Sequence, residues 1–166
     1  MATNEASAQQ KITPFLWFNG NVEEAVNFYT SVFKDSKIVF MHHLPGETPG
    51  VKGRALTATI VLNGMAFMLL DGGPMYTFNP SVSFFVHCKT QNEVDYYWDN
   101  LLANGGKESR CGWLQDQFGL SWQIIPDALG QLMGDPDRKK AGAVMNAMMG
   151  MVKIDVAALQ KAYDEA

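Results

Sequence analysis

Two stretches decide the fold: GMAFMLL at 64–70 and GLSWQII at 119–125. Both open on glycine, carry an aromatic residue at the fourth position and end in apolar residues. Short apolar runs behind a turn residue predict strands. A second matched pair lies upstream of these in the same order. AVNFYTSVF (25–33) aligns with EVDYYWDNL (93–101), with Val26 over Val94 and Tyr29 over Tyr97. Matched pairs in one order predict an internal duplication, each half running β-α-β-β-β. The second copy is shorter, and the loop at 45–54 accounts for most of the difference.

Working outward, KITPFLWFNG (11–20) reads as a strand. Val22, Val26, Tyr29 and Phe33 then fall at helical spacing behind Asn21, an N-cap placed three residues before Glu24. Residues 37–44 read as a strand, PGETPGVKGR (45–54) as a loop, and ALTATIVL and MAFMLL as a hairpin around Asn63-Gly64. In the second copy, SVSFFVHC (81–88) is a strand. Thr90 to Glu93 is a capping box opening a helix that ends at Asn104-Gly105-Gly106. KESRCGWL and LSWQIIP read as strands flanking Asp116 to Gly119. The rest is helical: Asp135 caps a helix with Pro136 at its first position, Ala141, Val144, Met145 and Met148 share a face, and Asp155 caps a last helix. The expected organisation is a disordered 1–10, a first module at 11–80, a second at 81–126 and helices over 127–166.

The chain has 166 residues, enough for one compact domain or two small halves sharing a core. Apolar residues make up 47% and charged residues 18%, so a packed core is expected. Thirteen basic against seventeen acidic side chains leave a net charge of −4, with no footprint for nucleic acid or an anionic membrane. No window approaches the roughly 20 apolar residues of a membrane span. The acidic, unapolar start does not read as a signal peptide. Cys88 and Cys111 are too few for a disulfide framework and lack zinc-site spacing, and read as reduced, buried thiols of a cytoplasmic protein. Of ten methionines, Met65 and Met68 lie on a strand, and Met133, Met145, Met148, Met149 and Met151 gather in the tail as pliable filler.

The duplicated βαβββ plan resembles the vicinal oxygen chelate (glyoxalase/bleomycin resistance/dioxygenase) superfamily. The local motifs TPFLWFNGNVEEAVNFYTSVF (13–33), FMLLDGGP (67–74), GWLQDQFGLSWQIIP (112–126) and the tail at 135–163 resemble its PhnB-like branch, labelled 3-demethylubiquinone-9 3-methyltransferase. The resemblance implies an α+β fold: two modules forming curved mixed sheets, plus a C-terminal helical tail. It also implies a homodimer.

Metalloenzymes of that superfamily carry His, Glu or Gln ligands at four strand positions, and open coordination sites receive the substrate oxygens. Carried over, these positions fall on Pro14, Met68, a residue near Ser83, and Gln123. Only Gln123 is a suitable ligand, and one ligand does not hold a metal. The expectation is no divalent metal and no cofactor. His87 shares a face with Ser83 and Phe85, either as an acid–base or metal residue or as a hydrogen-bonded rim histidine. His42 and His43 are adjacent and point to opposite faces. Asp71 either orients a ligand or caps the Gly72-Gly73 turn. Trp113, Phe118 and Trp122 could form an aromatic wall, although Trp122 alternates with Gln123 and so faces the helices. Arg54 and Arg110 anchor an anionic substrate or form surface ion pairs.

Three functions compete. The first is a metal-free protein binding a small organic molecule in a cavity lined by Leu16, Phe18, Met68, Ser83, Phe85 and Gln123. The second is an enzyme, either a divergent metalloenzyme or the labelled methyltransferase. Neither Gly72-Gly73 nor Gly105-Gly106 stands between a strand and a helix as a nucleotide-binding turn requires. The third is an interaction role for the tail.

Overall fold

The computed structural model describes residues 10–46 and 52–166. Most of the expected disordered start and the middle of the 45–54 loop lie outside the described residues. Gln10 does not: its side chain donates to Ala66 O at 3.1 Å and accepts from Ala66 N at 2.9 Å.

The chain divides into two compact units, one ending at Thr77 and the other spanning Phe78–Ala166. The first holds β1 (Phe15–Phe18), α1 (Val22–Val32), β2 (Ser36–Pro45), β3 (Lys52–Leu62) and β4 (Met65–Asp71). The second repeats the order with β5 (Ser83–Cys88), α2 (Gln91–Leu102), β6 (Lys107–Glu108), β7 (Trp113–Gln115) and β8 (Ser121–Pro126). It continues into α3 (Asp127–Met133), α4 (Arg138–Met149) and α5 (Val156–Asp164). The two sheets run β1-β4-β3-β2 and β5-β8-β7-β6. In each, the first and last strands pair in parallel and the others antiparallel. The duplication and the mixed sheets are therefore present as expected.

Local chemistry sets the joints. Asn63 and Gly64 take φ of 44° and 81°, the left-handed pair that a two-residue hairpin requires. Thr90 accepts from Glu93 N at 3.2 Å, while the Glu93 carboxylate reaches back to Lys89 N. Asn21 sits at the N-cap of α1, but its side chain makes no capping bond and its buried Oδ1 has no hydrogen-bond partner among the described residues. The α4 cap moves by two residues. Asp137, not Asp135, accepts from the Lys139 and Lys140 amides. Asp135 is engaged elsewhere, accepting from Tyr163 Oη at 2.6 Å, so the helix begins after Pro136 rather than on it. Asp155 caps α5 through Ala158 N at 2.9 Å.

The 107–114 stretch is not one strand. Ser109–Gly112 break the ladder, with Cys111 and Gly112 at φ of 57° and 80°. Their amides donate to Met151 O and Val152 O at 2.9 and 2.8 Å, so the tail takes the hydrogen bonds that a neighbouring strand would have taken. The tail core joins Ile125, Leu129, Val144, Ile154 and Leu159, with Met133, Met148 and Met151 packed against it. Met145, expected on that face, is 48% exposed, because its neighbour Val144 takes the inward position. Ile124 is fully buried and Ile125 nearly so, although they point to opposite faces of β8. The helices thus cover the Ile125 end of the face opposite α2.

A Cβ at Gly112 would stand 2.9 Å from Ile124 O and 2.7 Å from the Ile125 side chain. Gly112→Ala is expected to lower unfolding stability by about 1–3 kcal/mol in urea titration, from strain and crowding together. Gly142, inside α4 with open space around it, is the control: Gly142→Ala should raise stability by about 0.5–1 kcal/mol.

Candidate functional site

In the first unit the residues expected to share one cavity face are split between the two faces of the sheet. Leu16 and Phe18 are 8% and 3% exposed, on the side of β1 shared with Leu69 and Asp71 of β4. Met68 lies on the other face, opposite Phe15, and both are well exposed. Pro14 contributes only its carbonyl, which accepts from Met68 N at 2.9 Å. Asp71 is buried; its carboxylate accepts from Gly20 N at 2.9 Å and pairs with Arg54 Nη1 at 2.5 Å. It therefore clamps the β1–α1 turn to β3, and Arg54 is its ion-pair partner. Trp17 donates through Nε1 to Gly73 O at 2.8 Å and its indole fills the space beside Gly72, so these glycines serve a side chain of the chain itself. His42 stacks on Phe40, while His43 lies 3.4 Å from Glu23 of α1.

In the second unit, strand register brings other candidates together. Directly opposed residues of paired strands share a face. One row runs Lys107–Gln115–Ser121–Ser83 across β6, β7, β8 and β5. The next runs Trp113–Gln123–Phe85, and beyond it stand Ile125 and His87. The Gln123 amide donates from Nε2 to Ser83 Oγ at 2.8 Å, between an aromatic residue on each neighbouring strand. Trp122 points the other way, is 3% exposed, and donates to Asp116 Oδ2 at 2.8 Å.

Two clefts border this row. One, of about 420 Å³, lies between Phe85, His87, Ile125 and the start of α3 at Asp127 and Gly130. His87 sits there with Nδ1 3.5 Å from Asp127 Oδ1 and its ring 4.7 Å from Phe85, as an exposed rim residue. The other, of about 270 Å³, is lined by Lys107, Ser109, Trp113, Gln115 and Ser121 among others. Ser121 is 1% exposed and its Oγ has no hydrogen-bond partner among the described residues. Among the described residues no three His, Cys, Asp or Glu side chains gather as a metal group. No helix there is long and apolar enough to cross a membrane.

Sequence reasoning missed Gln115, Ser121 and Lys107. Ser121 stands two residues before Gln123, so strand alternation could have found it. Gln115 and Lys107 join only through antiparallel register, which one sequence does not display.

Two successive βαβββ modules, each with its own four-stranded mixed sheet, are the plan of the vicinal oxygen chelate fold. The sequence match is more specific: residues 10–125 match the family described as 3-demethylubiquinone-9 3-methyltransferase. A PhnB protein from Bacillus cereus, named for the same methyltransferase, is similar at 40% identity and a TM-score of 0.63, over 70% of this chain and 99% of that one. Protein PA1353 from Pseudomonas aeruginosa is similar at 24% identity and a TM-score of 0.58, over 69% and 96% of the two chains. The fosfomycin resistance protein FosX from Listeria monocytogenes shares the fold at 10% identity and a TM-score of 0.50, over 69% and 90%. A comparison with curated proteins gave no match. The chain belongs to the 3-demethylubiquinone-9 3-methyltransferase family. The family match ends before α3, so the tail sequence counted in the resemblance lies outside it.

Asp71→Asn should remove the ion pair and weaken the bond to Gly20 N, lowering unfolding stability by about 1–3 kcal/mol in chemical denaturation. The two thiols should also separate. Burial, with Glu93 and Asp127 adding, pushes the Cys88 thiol up to about 12, whereas Cys111 is half-buried. At pH 8, a thiol-disulfide reagent should titrate one cysteine in the native protein and both in denaturant.

Proposed function

We propose that the protein binds a small organic molecule on the open face of the second sheet, centred on Gln123, without a divalent metal. The observation that carries this reading is the row Trp113–Gln123–Phe85, a hydrogen-bonded amide between two aromatic residues. Apolar walls with a few placed polar groups are the usual make-up of a ligand site. The donor chemistry argues in the same direction. The four family ligand positions fall on Pro14, Met68, a residue near Ser83, and Gln123. A thioether, a hydroxyl and one amide do not suit a hard divalent cation. A homodimer and a cytoplasmic setting belong to the same reading and rest on the resemblance and the composition.

Methyl transfer, the activity in the family's name, is the second reading, and the match over residues 10–125 favours it. Against it, neither glycine pair forms a phosphate-binding turn, and Gly72 and Gly73 serve Trp17.

A thermal-shift screen separates the readings. Aromatic small molecules should raise Tm, by up to about 3 kcal/mol of stabilisation at a hundredfold excess over Kd. The effect should vanish in Gln123→Leu. Stabilisation by manganese, zinc or S-adenosylmethionine alone would overturn the proposal, as would hits indifferent to Gln123→Leu.

A further inference from the structure

We propose that the ligand is a small planar organic acid whose anionic group is held at Ser121, Gln115 and Lys107 while its ring lies on Trp113. This rests on the reading of this face as a ligand site and adds its charge and shape. Four observations carry it. First, Lys107, Gln115 and Ser121 share one row across three strands and line one cleft of about 270 Å³, which has room for a single substituted ring. Second, the Ser121 Oγ is closed off from bulk solvent and has no hydrogen-bond partner among the described residues. A buried hydroxyl without a partner is rare, and a ligand oxygen would satisfy it. Third, the row presents donors with nothing to receive them: among the described residues no carboxylate pairs with Lys107, and no hydrogen bond engages the Gln115 amide. Fourth, the carboxylate lining the cleft, Glu108, stands on the opposite face of its strand, opposite Leu114, and accepts from Trp98 Nε1 at 3.3 Å. Its charge is therefore turned away from the row.

An ammonium, an amide and a hydroxyl, all donating, match the acceptor-only oxygens of a carboxylate. The neighbouring row supplies the flat apolar surface: Trp113 lines the same cleft, and ring-on-indole contact favours a planar partner. A free inorganic anion would use the donors but not Trp113, so the two sources can be told apart.

The test is calorimetric and NMR titration of the full chain with benzoate, its neutral isostere benzamide, and inorganic phosphate. Benzoate should bind saturably, with benzamide weaker by about tenfold, the loss of a charge-assisted contact. Lys107→Met should weaken benzoate about tenfold and leave benzamide unchanged. Ser121→Ala should weaken benzoate with an unchanged fold by circular dichroism. Trp113→Leu should weaken both ring compounds. Benzamide binding as tightly as benzoate would overturn the anion assignment while leaving the ligand site standing. Phosphate competing equally would reduce the row to a general anion patch and overturn the planar-acid assignment. No benzoate binding, or binding indifferent to Lys107→Met and Ser121→Ala, would overturn it also. The Gln123→Leu response in the thermal screen then decides separately whether the face binds ligands at all.

Discussion

The buried carboxylate of Asp116 fixes the second unit. Its Oδ1 accepts from Phe118 N at 2.9 Å and Leu120 N at 3.1 Å, which shapes the turn into β8. Its Oδ2 accepts from Trp122 Nε1 at 2.8 Å, which holds that indole on the α2 side. A strand has a period of two, so locking Trp122 to one face sends Ser121, Gln123 and Ile125 to the other. A one-residue slip would exchange the two sets. The polar row, the aromatic row and the tail's contact at Ile125 all depend on that choice. Gly119, at φ of 84°, permits the turn that brings Asp116 within reach.

Both faces of β8 are then occupied, in different ways. On one, Trp122 and Ile124 are buried on the side of α2. On the other, α3 to α5 close over Ile125, and the surface beyond it stays open. Gln91 ties the tail back to α2, donating to Ile154 O at 3.1 Å and accepting from Val156 N at 2.8 Å. Lys153 adds an ion pair with Asp95 at 2.8 Å, which holds the Asp95 carboxyl below its usual range. The helices thus extend a sheet whose register was already set, and the family match stops where they begin.

The duplication was legible because turn residues and aromatic positions recur in phase, and that pattern fixes element order without tertiary information. The face of β1 was not legible. Its sequence, FLWF, is apolar at every position, so no alternation marks which side meets the helix. Only the family resemblance puts Leu16 and Phe18 on the open face, and the pattern of β1 offers nothing to check it. The break at Ser109–Gly112 was hidden too, because it depends on carbonyls of the tail about forty positions onward. The candidate site was half legible. Ser83, Phe85, His87 and Gln123 follow from alternation on two strands. Lys107, Gln115 and Trp113 join them only once β6, β7 and β8 are in register.

Register also shows how the two copies have diverged. Counting from the matched glycines, Ser121 and Gln123 correspond to Ala66 and Met68. Across the sheet, Gln115 and Trp113 oppose the first pair, and Val61 and Thr59 oppose the second. Phe85 opposite Gln123 finds its counterpart in Phe15 opposite Met68. The row that reads Gln115–Ser121 in one copy therefore reads Val61–Ala66 in the other. Lys37 opposes Val61 as Lys107 opposes Gln115, so both copies carry an ammonium on this row; the amide and the serine hydroxyl belong to the second copy, and the first copy's hydroxyls, Thr57 and Thr59, stand on other rows. A sheet face that only had to pack against apolar surface would gain nothing from a buried, unpartnered hydroxyl, which costs about 1–3 kcal/mol when left unmet. That hydroxyl stands where the other copy carries Ala66, so the row proposed to hold a ligand is a property of the second copy's sequence and not of the shared fold.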